Sequence, residues 1–356
     1  MKKDNVKNIY AKILAFTLLL LMIIASSACS SSKPKETATK EAPKQEAVKI
    51  RVHSQMPVGN HITSAMDLFI KEAEKGSKGS FKLEHYPSQQ LLKSTNATEM
   101  TSKGAVEISQ LPSLLEAIVP ESRFLNTYGV FKSEAEFIKF INGPAHKYLD
   151  EACQKKGLKL LGYLYYAPNM VFLTKDKIDS LDKFKGKKIR TTGTASASVV
   201  KNLGGAPLEM SSSEMYEALQ RGVIDGIWSG YTTVSDRKLY EVGKYLVEGY
   251  FGPVPWFIVA NLKFWNGLTP DQQKVLLDAA QKAQEYDLTA SNNADKEAKE
   301  KFIKAGGWVW EIIGKPEGDA FQKVVLESCV PESKKVMGDE TFNKFMGYLE
   351  EVRKSK

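Results

Sequence analysis

An alternation of strand-like and helix-like segments between residues 184 and 229 restricts the fold of this chain more than any other feature. A short β-type run ends at Arg190 or Thr191, just before a glycine, and an amphipathic stretch follows it. A second helix is predicted at about 213–221, and the apolar run at 223–227 is predicted to be the next strand. Such alternation is typical of an open, mainly parallel sheet covered by helices, so the sequence predicts an α/β fold.

Arg190 is predicted at the carboxyl end of a strand, where open parallel sheets bind ligands beside helix N-termini. Its planar guanidinium matches a carboxylate and stays charged, which suits it to anion recognition. Lys185, Lys187 and Lys188 precede it, and they allow the alternative that Arg190 belongs to a generally basic surface edge. Spacing alone leaves both interpretations open.

Four short motifs follow one another through this region: Gly-Lys-Lys-Ile-Arg at 186–190, Gly-Ala-Pro at 205–207, Glu-Met-Tyr-Glu-Ala-Leu at 214–219 and Gly-Val-Ile-Asp-Gly at 222–226. Together they resemble the DctP-type solute-binding proteins of tripartite ATP-independent periplasmic (TRAP) transporters, and the resemblance covers about residues 48 to 350. It implies a two-lobe, periplasmic-binding-protein-like α/β fold, with a ligand cleft between the lobes and a long helix that spans both. It also implies that Arg190 forms a salt bridge with the ligand's carboxylate.

The amino terminus has the layout of a bacterial export signal. Basic residues precede an apolar run at 13–25, which is too short for a comfortable membrane span, and Ser-Ser-Ala-Cys follows. We therefore predict a lipoprotein-type signal peptide at 1–28, with lipid attached to Cys29. The lipoprotein pattern prefers leucine where Ser26 stands, so ordinary signal cleavage is the alternative. Residues 29–47 are almost devoid of apolar side chains and are predicted to be a disordered tether.

The rest of the chain is expected to form two lobes with approximate boundaries. Residues 48–168 and 256–295 are assigned to lobe I. Residues 169–255 and 296–350 are assigned to lobe II, which includes the carboxyl-terminal helices.

A long helix is predicted after Thr-Pro-Asp-Gln at 269–272, which offers an N-cap, a proline at the first helical position and a reciprocal glutamine. No proline or glycine then interrupts the chain until Gly306. A helix of that length matches the spanning helix that the resemblance implies. A short break near Asn292 and Asn293 is the alternative.

Charge and motif content exclude several classes of function. Without residues 1–28 the chain has 46 basic and 41 acidic residues, a net charge of +5, and no run of five like charges, so nucleic-acid binding is disfavoured. The sequence lacks a nucleophile elbow, a Walker loop and a His-Glu-x-x-His motif, and we predict neither catalysis nor a cofactor. His53 and His61 have no acidic residue at ligand spacing, which argues against a zinc site. Cys153 and Cys329 could form a disulfide or remain as two buried thiols.

Departures from the family pattern indicate the kind of ligand. Many relatives that bind sialic acid or dicarboxylates have a second arginine where this chain has Asn169 or Met170. After Asp225-Gly226 the common Gln-Glu-Asn is replaced by Ile-Trp-Ser, which substitutes apolar or small groups. These changes favour a monocarboxylate with a less polar remainder. The expected ligand contacts are Arg190, Trp228, Ser229, Gln110, Asn169, His53, Ser212 and Tyr231.

The sequence thus predicts an exported, lipid-anchored receptor that captures a small organic acid and delivers it to TRAP membrane subunits. The expected location is the periplasm or the outer face of the cytoplasmic membrane. A binding protein of another uptake or sensing system is the first alternative, and a secreted enzyme is the second. Turnover of the bound ligand would reveal the enzyme.

Overall fold

A computed structural model describes residues 46–167 and 170–355. The predicted signal peptide, Cys29, nearly all of the tether and Asn169 lie outside the described residues. The strands are β1 (Val48–His53), β2 (Phe81–Tyr86), β3 (Ile108–Leu111), β4 (Leu158–Ala167), β5 (Met170–Thr174), β6 (Lys188–Thr191), β7 (Ala206–Glu209), β8 (Gly226–Gly230), β9 (Tyr245–Glu248), β10 (Val254–Asn261) and β11 (Trp308–Glu311).

The α-helices pack around these strands. They are α1 (His61–Gly76), α2 (Ala97–Ser102), α3 (Glu134–Ile141), α4 (Pro144–Gln154), α5 (Gly193–Asn202), α6 (Met215–Gln220), α7 (Tyr231–Asp236), α8 (Leu262–Asn266), α9 (Pro270–Lys304), α10 (Pro316–Met337) and α11 (Asp339–Lys354). Among them, no described helix combines the length and the apolar character that a membrane span requires.

The described strands form two mixed sheets, and each is the centre of one lobe. The first sheet has the order β2-β1-β3-β10-β4, with β10 antiparallel to both of its neighbours. The second has the order β11-β9-β5-β8-β6-β7, with β5 antiparallel to β8 and β9. The two-lobe α/β fold predicted from the sequence is confirmed.

The strand β8 starts later than the sequence pattern predicts. Val223 is 51% exposed and lies in the turn after α6, where Gly222 has φ +71°. The backbone N–H of Asp225 donates to the Lys188 carbonyl, and the Asp225 carboxylate accepts from the Lys188 N–H, so Asp225 ends the turn. Pairing with β5 begins only at Gly226, and this register brings Trp228 into the middle of the strand.

The long helix α9 joins the two lobes. Its capping box is complete: the Thr269 hydroxyl accepts from the Gln272 N–H at 3.3 Å, and the Gln272 side chain accepts from the Thr269 N–H at 3.0 Å. The 35-residue helix runs without a break, a length of about 52 Å. It packs against α1 and β4 of the first lobe and against α7 and β11 of the second. The predicted spanning helix is therefore present.

The last helix differs from its expected place in lobe II. Phe342, Phe345 and Leu349 of α11 are buried in one cluster with Phe124 and Phe140, which belong to the first lobe. Their spacing forms an apolar stripe on one face of the helix, and that stripe needs a partner surface. The Phe345 ring lies 5.2 Å from the Phe124 ring, so the chain ends on lobe I.

Candidate ligand-binding site

A cavity of about 410 Å³ lies between the two sheets, within the range of small-molecule sites. The first lobe lines it with Gln55, Met56, Gln89, Ser94, Thr95, Pro112, Tyr128, Tyr166, Val254 and Trp256. The second lobe lines it with Met170, Arg190, Thr192, Glu209, Met210, Ser211, Ser212, Trp228, Ser229 and Thr233. Several of these residues end β6, β7 and β8 or follow them directly, as expected for a ligand site of an open α/β sheet.

Arg190 lies in β6 and is almost completely buried. Its Nε donates to the Met210 carbonyl at 3.1 Å, and its Nη1 donates to the Trp228 carbonyl at 3.3 Å. Burial lowers the pKa of the guanidinium to about 10, so Arg190 remains a cation at pH 7. No acidic side chain among the described residues forms an ion pair with it. The charge of Glu209, which also lines the cavity, acts to raise the pKa of Arg190, but the two side chains form no ion pair. The cavity therefore contains a fixed cation that no described acidic side chain contacts.

Trp228 forms an aromatic wall of the cavity beside Arg190. Its ring is fully buried and packs edge to face on Phe172 and Phe251, with ring centroids 4.8 Å and 4.2 Å away, and tilts onto Tyr128 at 5.2 Å. Phe172 faces it across the β5–β8 pair. Packing on three rings fixes the indole, so this wall of the cavity is preformed.

Tyr166 and Trp256 form the facing wall from the first lobe. Their rings stack in parallel, 4.6 Å apart with planes 9° from each other. The Tyr166 hydroxyl lies 3.0 Å from the Ser229 hydroxyl and accepts from the Gly230 N–H at 3.2 Å. This contact links β4 of one lobe to β8 of the other directly beside the cavity.

The residues expected to bind ligand divide into two groups. Arg190, Trp228, Ser229 and Ser212 line the cavity together. Of the other expected contacts, the structure describes His53, Gln110 and Tyr231, and none of these three is part of its lining.

His53 and Gln110 contact Gln55, which lines the cavity, but do not line it themselves. The Gln55 N–H donates to the Gln110 side-chain oxygen at 3.1 Å, and the Gln55 amide lies 2.9 Å from the His53 Nε2. Tyr231 begins α7 after the end of β8 and packs in the apolar core that includes Val171 and Leu173. The sequence does not predict three further lining residues, Gln55, Tyr166 and Trp256, because no local motif distinguishes them.

The potential metal-ligating side chains and the cysteines were located in the described part of the chain. No group of three or more histidine, cysteine, aspartate or glutamate side chains within residues 46–167 and 170–355 is arranged to hold a metal ion. Cys153 and Cys329 are both buried free thiols. Of the two alternatives left open by the sequence, the structure therefore has the unpaired thiols.

Comparison with known proteins agrees with this architecture. The sequence profile of bacterial extracellular solute-binding protein family 7 (DctP) matches residues 52–330. The chain belongs to this family of TRAP solute-binding proteins. A solute-binding protein of Albidiferax ferrireducens is 28% identical over 68% of this chain and 73% of its own length. The C4-dicarboxylate-binding periplasmic protein DctP of Rhodobacter capsulatus is 29% identical over 67% of this chain and 71% of its own length.

Solved structures share the fold of this family member at lower sequence identity. A TRAP periplasmic solute-binding protein from Desulfovibrio salexigens with bound orotic acid superposes with a TM-score of 0.81 and 19% identity, over 85% of this chain and 99% of that one. An extracytoplasmic solute receptor from Bordetella pertussis that binds pyroglutamic acid gives 0.79 and 19%, over 85% and 100%. The family member described here is thus a periplasmic-type solute-binding protein with a two-lobe fold.

Proposed function

We propose that this protein captures a monocarboxylate through an ion pair with Arg190 and delivers it unchanged to the membrane subunits of a TRAP transporter. The observation that supports this most is the buried Arg190 guanidinium, which has no acidic partner in the described part of the chain. A buried cation costs free energy unless an anion compensates it. A ligand carboxylate in contact with Arg190 would supply this compensation, whereas Glu209 lines the same cavity without forming an ion pair with Arg190.

The charges along the cavity favour one carboxylate rather than two. Among the described lining residues, Arg190 is the only cation and Glu209 is the only acid. A second ligand carboxylate would therefore meet no further cation among these lining residues and would be repelled by Glu209. Relatives bind a range of acids, including orotate and pyroglutamate, and the Rhodobacter relative is named for C4-dicarboxylates.

The expected contacts of the ligand are not limited to Arg190. We propose that Trp228 packs against the ligand's body, and that Ser229 and Ser212 bind its polar atoms. His53 and Gln110 would then support Gln55 from behind. Closure of the two lobes over the ligand would be a population shift driven by contacts that exist only in the closed state.

The test is binding of a panel of monocarboxylates, and of the corresponding amides, to wild type and to Arg190→Ala and Arg190→Lys, measured by calorimetry. Arg190→Ala leaves a buried carboxylate unpaired, so affinity should fall by about 3 to 5 kcal/mol, roughly two to three decades or more. Lysine should restore only part of it, because a point charge replaces a bidentate fork. Lys188→Met, which removes an exposed cation from the same strand, is the matched control. Equal binding of an acid and its amide by the wild type would refute the carboxylate clamp.

We also propose export by the segment 1–28 and lipid attachment at Cys29, because a tether-like composition at 29–47 follows a small-residue cysteine site. The lipid would hold the receptor near the membrane subunits. Intact-mass analysis of membrane-extracted protein tests this proposal. A mature chain that begins elsewhere and has no added lipid mass would contradict it.

A further inference from the structure

Among the described residues, Glu209 is the only acidic side chain that lines the cavity. It ends β7, and the register between β6 and β7 places it beside Thr191, the residue that follows Arg190. Its carboxylate forms no ion pair with a cationic side chain in the described part of the chain. Glu209 is exposed, so water can solvate its charge while the cavity is empty. The carboxylate is therefore available to a ligand.

Arg190 and Glu209 are two separate, opposite charges in one cavity. The charge of Glu209 reaches Arg190, since it acts to raise the pKa of the guanidinium, but the two side chains form no ion pair. Hydrogen bonds from Arg190 to the carbonyls of Met210 and Trp228 hold the guanidinium in its own position. Arg190 is buried, whereas Glu209 is exposed. This arrangement matches a ligand that carries both charges, with its carboxylate at the buried end of the cavity and its cation at the exposed end.

The residues next to Glu209 favour an ammonium group as that cation. Residues 209–212 all line the cavity, so the hydroxyl groups of Ser211 and Ser212 follow the carboxylate directly. An ammonium group has three N–H donors, which a carboxylate and neighbouring hydroxyl groups can accept. Calcium and magnesium ions need a larger set of oxygen ligands. No described group of three or more potential metal-ligating side chains is arranged to supply one.

We propose that the ligand is a zwitterion, an amino acid whose carboxylate pairs with Arg190 and whose ammonium group pairs with Glu209. This inference rests on the proposed capture of a monocarboxylate. It adds a second charged contact and fixes the direction in which the ligand lies in the cavity. A contact of this kind also discriminates between ligands, because the carboxylate that attracts an ammonium group repels a second carboxylate.

The probes are amino acids in which the number of carbon atoms between the two charges varies. Glycine, 3-aminopropanoate, 4-aminobutanoate and 5-aminopentanoate are each compared with the hydroxy acid of the same chain length, which has a neutral group of similar size. Calorimetry at low ionic strength limits the screening of the charges. In the wild type, at least one amino acid should bind about fivefold or more tightly than its hydroxy acid.

Two variants of Glu209 change the charge at the exposed end of the cavity. In Glu209→Gln the ammonium group would meet only the repulsion of Arg190, so the affinity ratio of the best pair should fall to about one or below. Glu209→Lys places a cation there, so glutarate should become the tighter ligand relative to 4-aminobutanoate. Glu214→Gln is the matched control, since it removes an exposed carboxylate that does not line the cavity, and it should keep the wild-type ratio.

The outcomes separate this inference from the proposed function. If hydroxy acids bind the wild type as tightly as amino acids at every chain length, or if Glu209→Gln keeps the wild-type ratio, Glu209 binds no ammonium group and the inference is wrong, while the capture of a monocarboxylate stands. A failure of Glu209→Lys to shift binding towards glutarate would also overturn the inference. If no acid on this panel or on the monocarboxylate panel binds the wild type, the proposed function fails, and the inference fails with it.

Discussion

Replacing Arg123 by methionine should weaken the junction between the lobes by removing a buried guanidinium that contacts three segments of the chain. Arg123 lies in the 3-10 helix Pro120–Asn126 and is fully buried. Its Nη1 donates to Glu116 and to the Thr194 hydroxyl, each at 2.9 Å, and its Nε donates to the Ser333 hydroxyl at 3.2 Å. Thr194 belongs to α5, which starts directly after the strand that holds Arg190. Arg123 therefore joins Glu116 of the first lobe to Thr194 in α5 and Ser333 in α10 through hydrogen bonds.

The magnitude follows from what the substitution leaves behind. Breaking a buried ion pair typically costs about 3 to 5 kcal/mol, because the remaining charge is stranded. Burial already raises the pKa of the Glu116 carboxyl, whereas Arg123 lowers it. Without Arg123 the carboxyl should therefore take up a proton more easily, which limits the loss to the lower end of that range. We expect Arg123→Met to reduce the free energy of unfolding by about 3 kcal/mol at pH 7.

A double-mutant cycle tests this reasoning. Adding Glu116→Gln removes the stranded charge, so the double variant should be more stable than Arg123→Met alone by about 1 kcal/mol or more. Urea unfolding at pH 7 supplies each free energy of unfolding. The Arg51–Glu107 pair is the matched control: its side chains are 44% and 22% exposed, and it should contribute only about 0 to 1 kcal/mol. Additive losses at Arg123 and Glu116 would refute the stranded-charge argument.

Two further predictions concern pH and closure. Burial lowers the pKa of His53 from 6.5 to about 4. The neutral imidazole therefore contributes fully to the free energy of unfolding above pH 6.5, and this contribution is lost as the pH falls from about 6.5 to 4. In urea unfolding, His53→Gln should reduce this loss of stability by up to about 3 kcal/mol. An equally steep decline in the variant would contradict this prediction. The Asn60 amide, which also caps α1, donates across the lobes to the Asp236 carboxylate at 2.8 Å. Asn60→Asp retains the helix cap but places two carboxylates together, so it should weaken ligand binding several-fold. Adding Asp236→Asn to that variant should restore the affinity, and calorimetry measures both. If the double variant binds no better than Asn60→Asp, this contact does not contribute to closure.

Features that depend on a few neighbouring residues could be predicted from the sequence in both lobes. The end of β6 at Thr191 and the capping box at Thr269 depend on a few neighbouring residues, and both were predicted correctly. The position of Arg190 at the cavity follows from the same local motif. Strand β8 was predicted three residues early because the apolar side chain of Val223 imitates a strand, while the actual start depends on pairing with β5.

The first lobe's side of the cavity depends on long-range contacts, which sequence periodicity does not contain. Gln55 lies two residues beyond the end of β1, in a loop whose path is set by β2 and β3, so the sequence pattern points only to His53 at the end of the strand. Trp256 and Tyr166 stack because β10 returns antiparallel beside β4, a pairing between segments about ninety residues apart in the chain. The position of α11 likewise depends on a distant partner, because its apolar stripe packs on a surface of the first lobe.

The arrangement around Arg190 explains how a folded protein tolerates a buried cation that forms no ion pair. Two of its five N–H groups donate to the carbonyls of Met210 and Trp228, and these bonds offset part of the desolvation of the cation. They also fix the plane of the guanidinium, so that the remaining N–H groups on Nη1 and Nη2 have a defined direction before any anion arrives. In the proposed complex the guanidinium therefore loses little orientational freedom when the carboxylate binds. The ion pair also raises the pKa of Arg190, which burial has lowered. A lysine at this position would lack the planar set of donors that contacts both carbonyls and a carboxylate together. A positive charge alone should therefore not give wild-type affinity for the ligand.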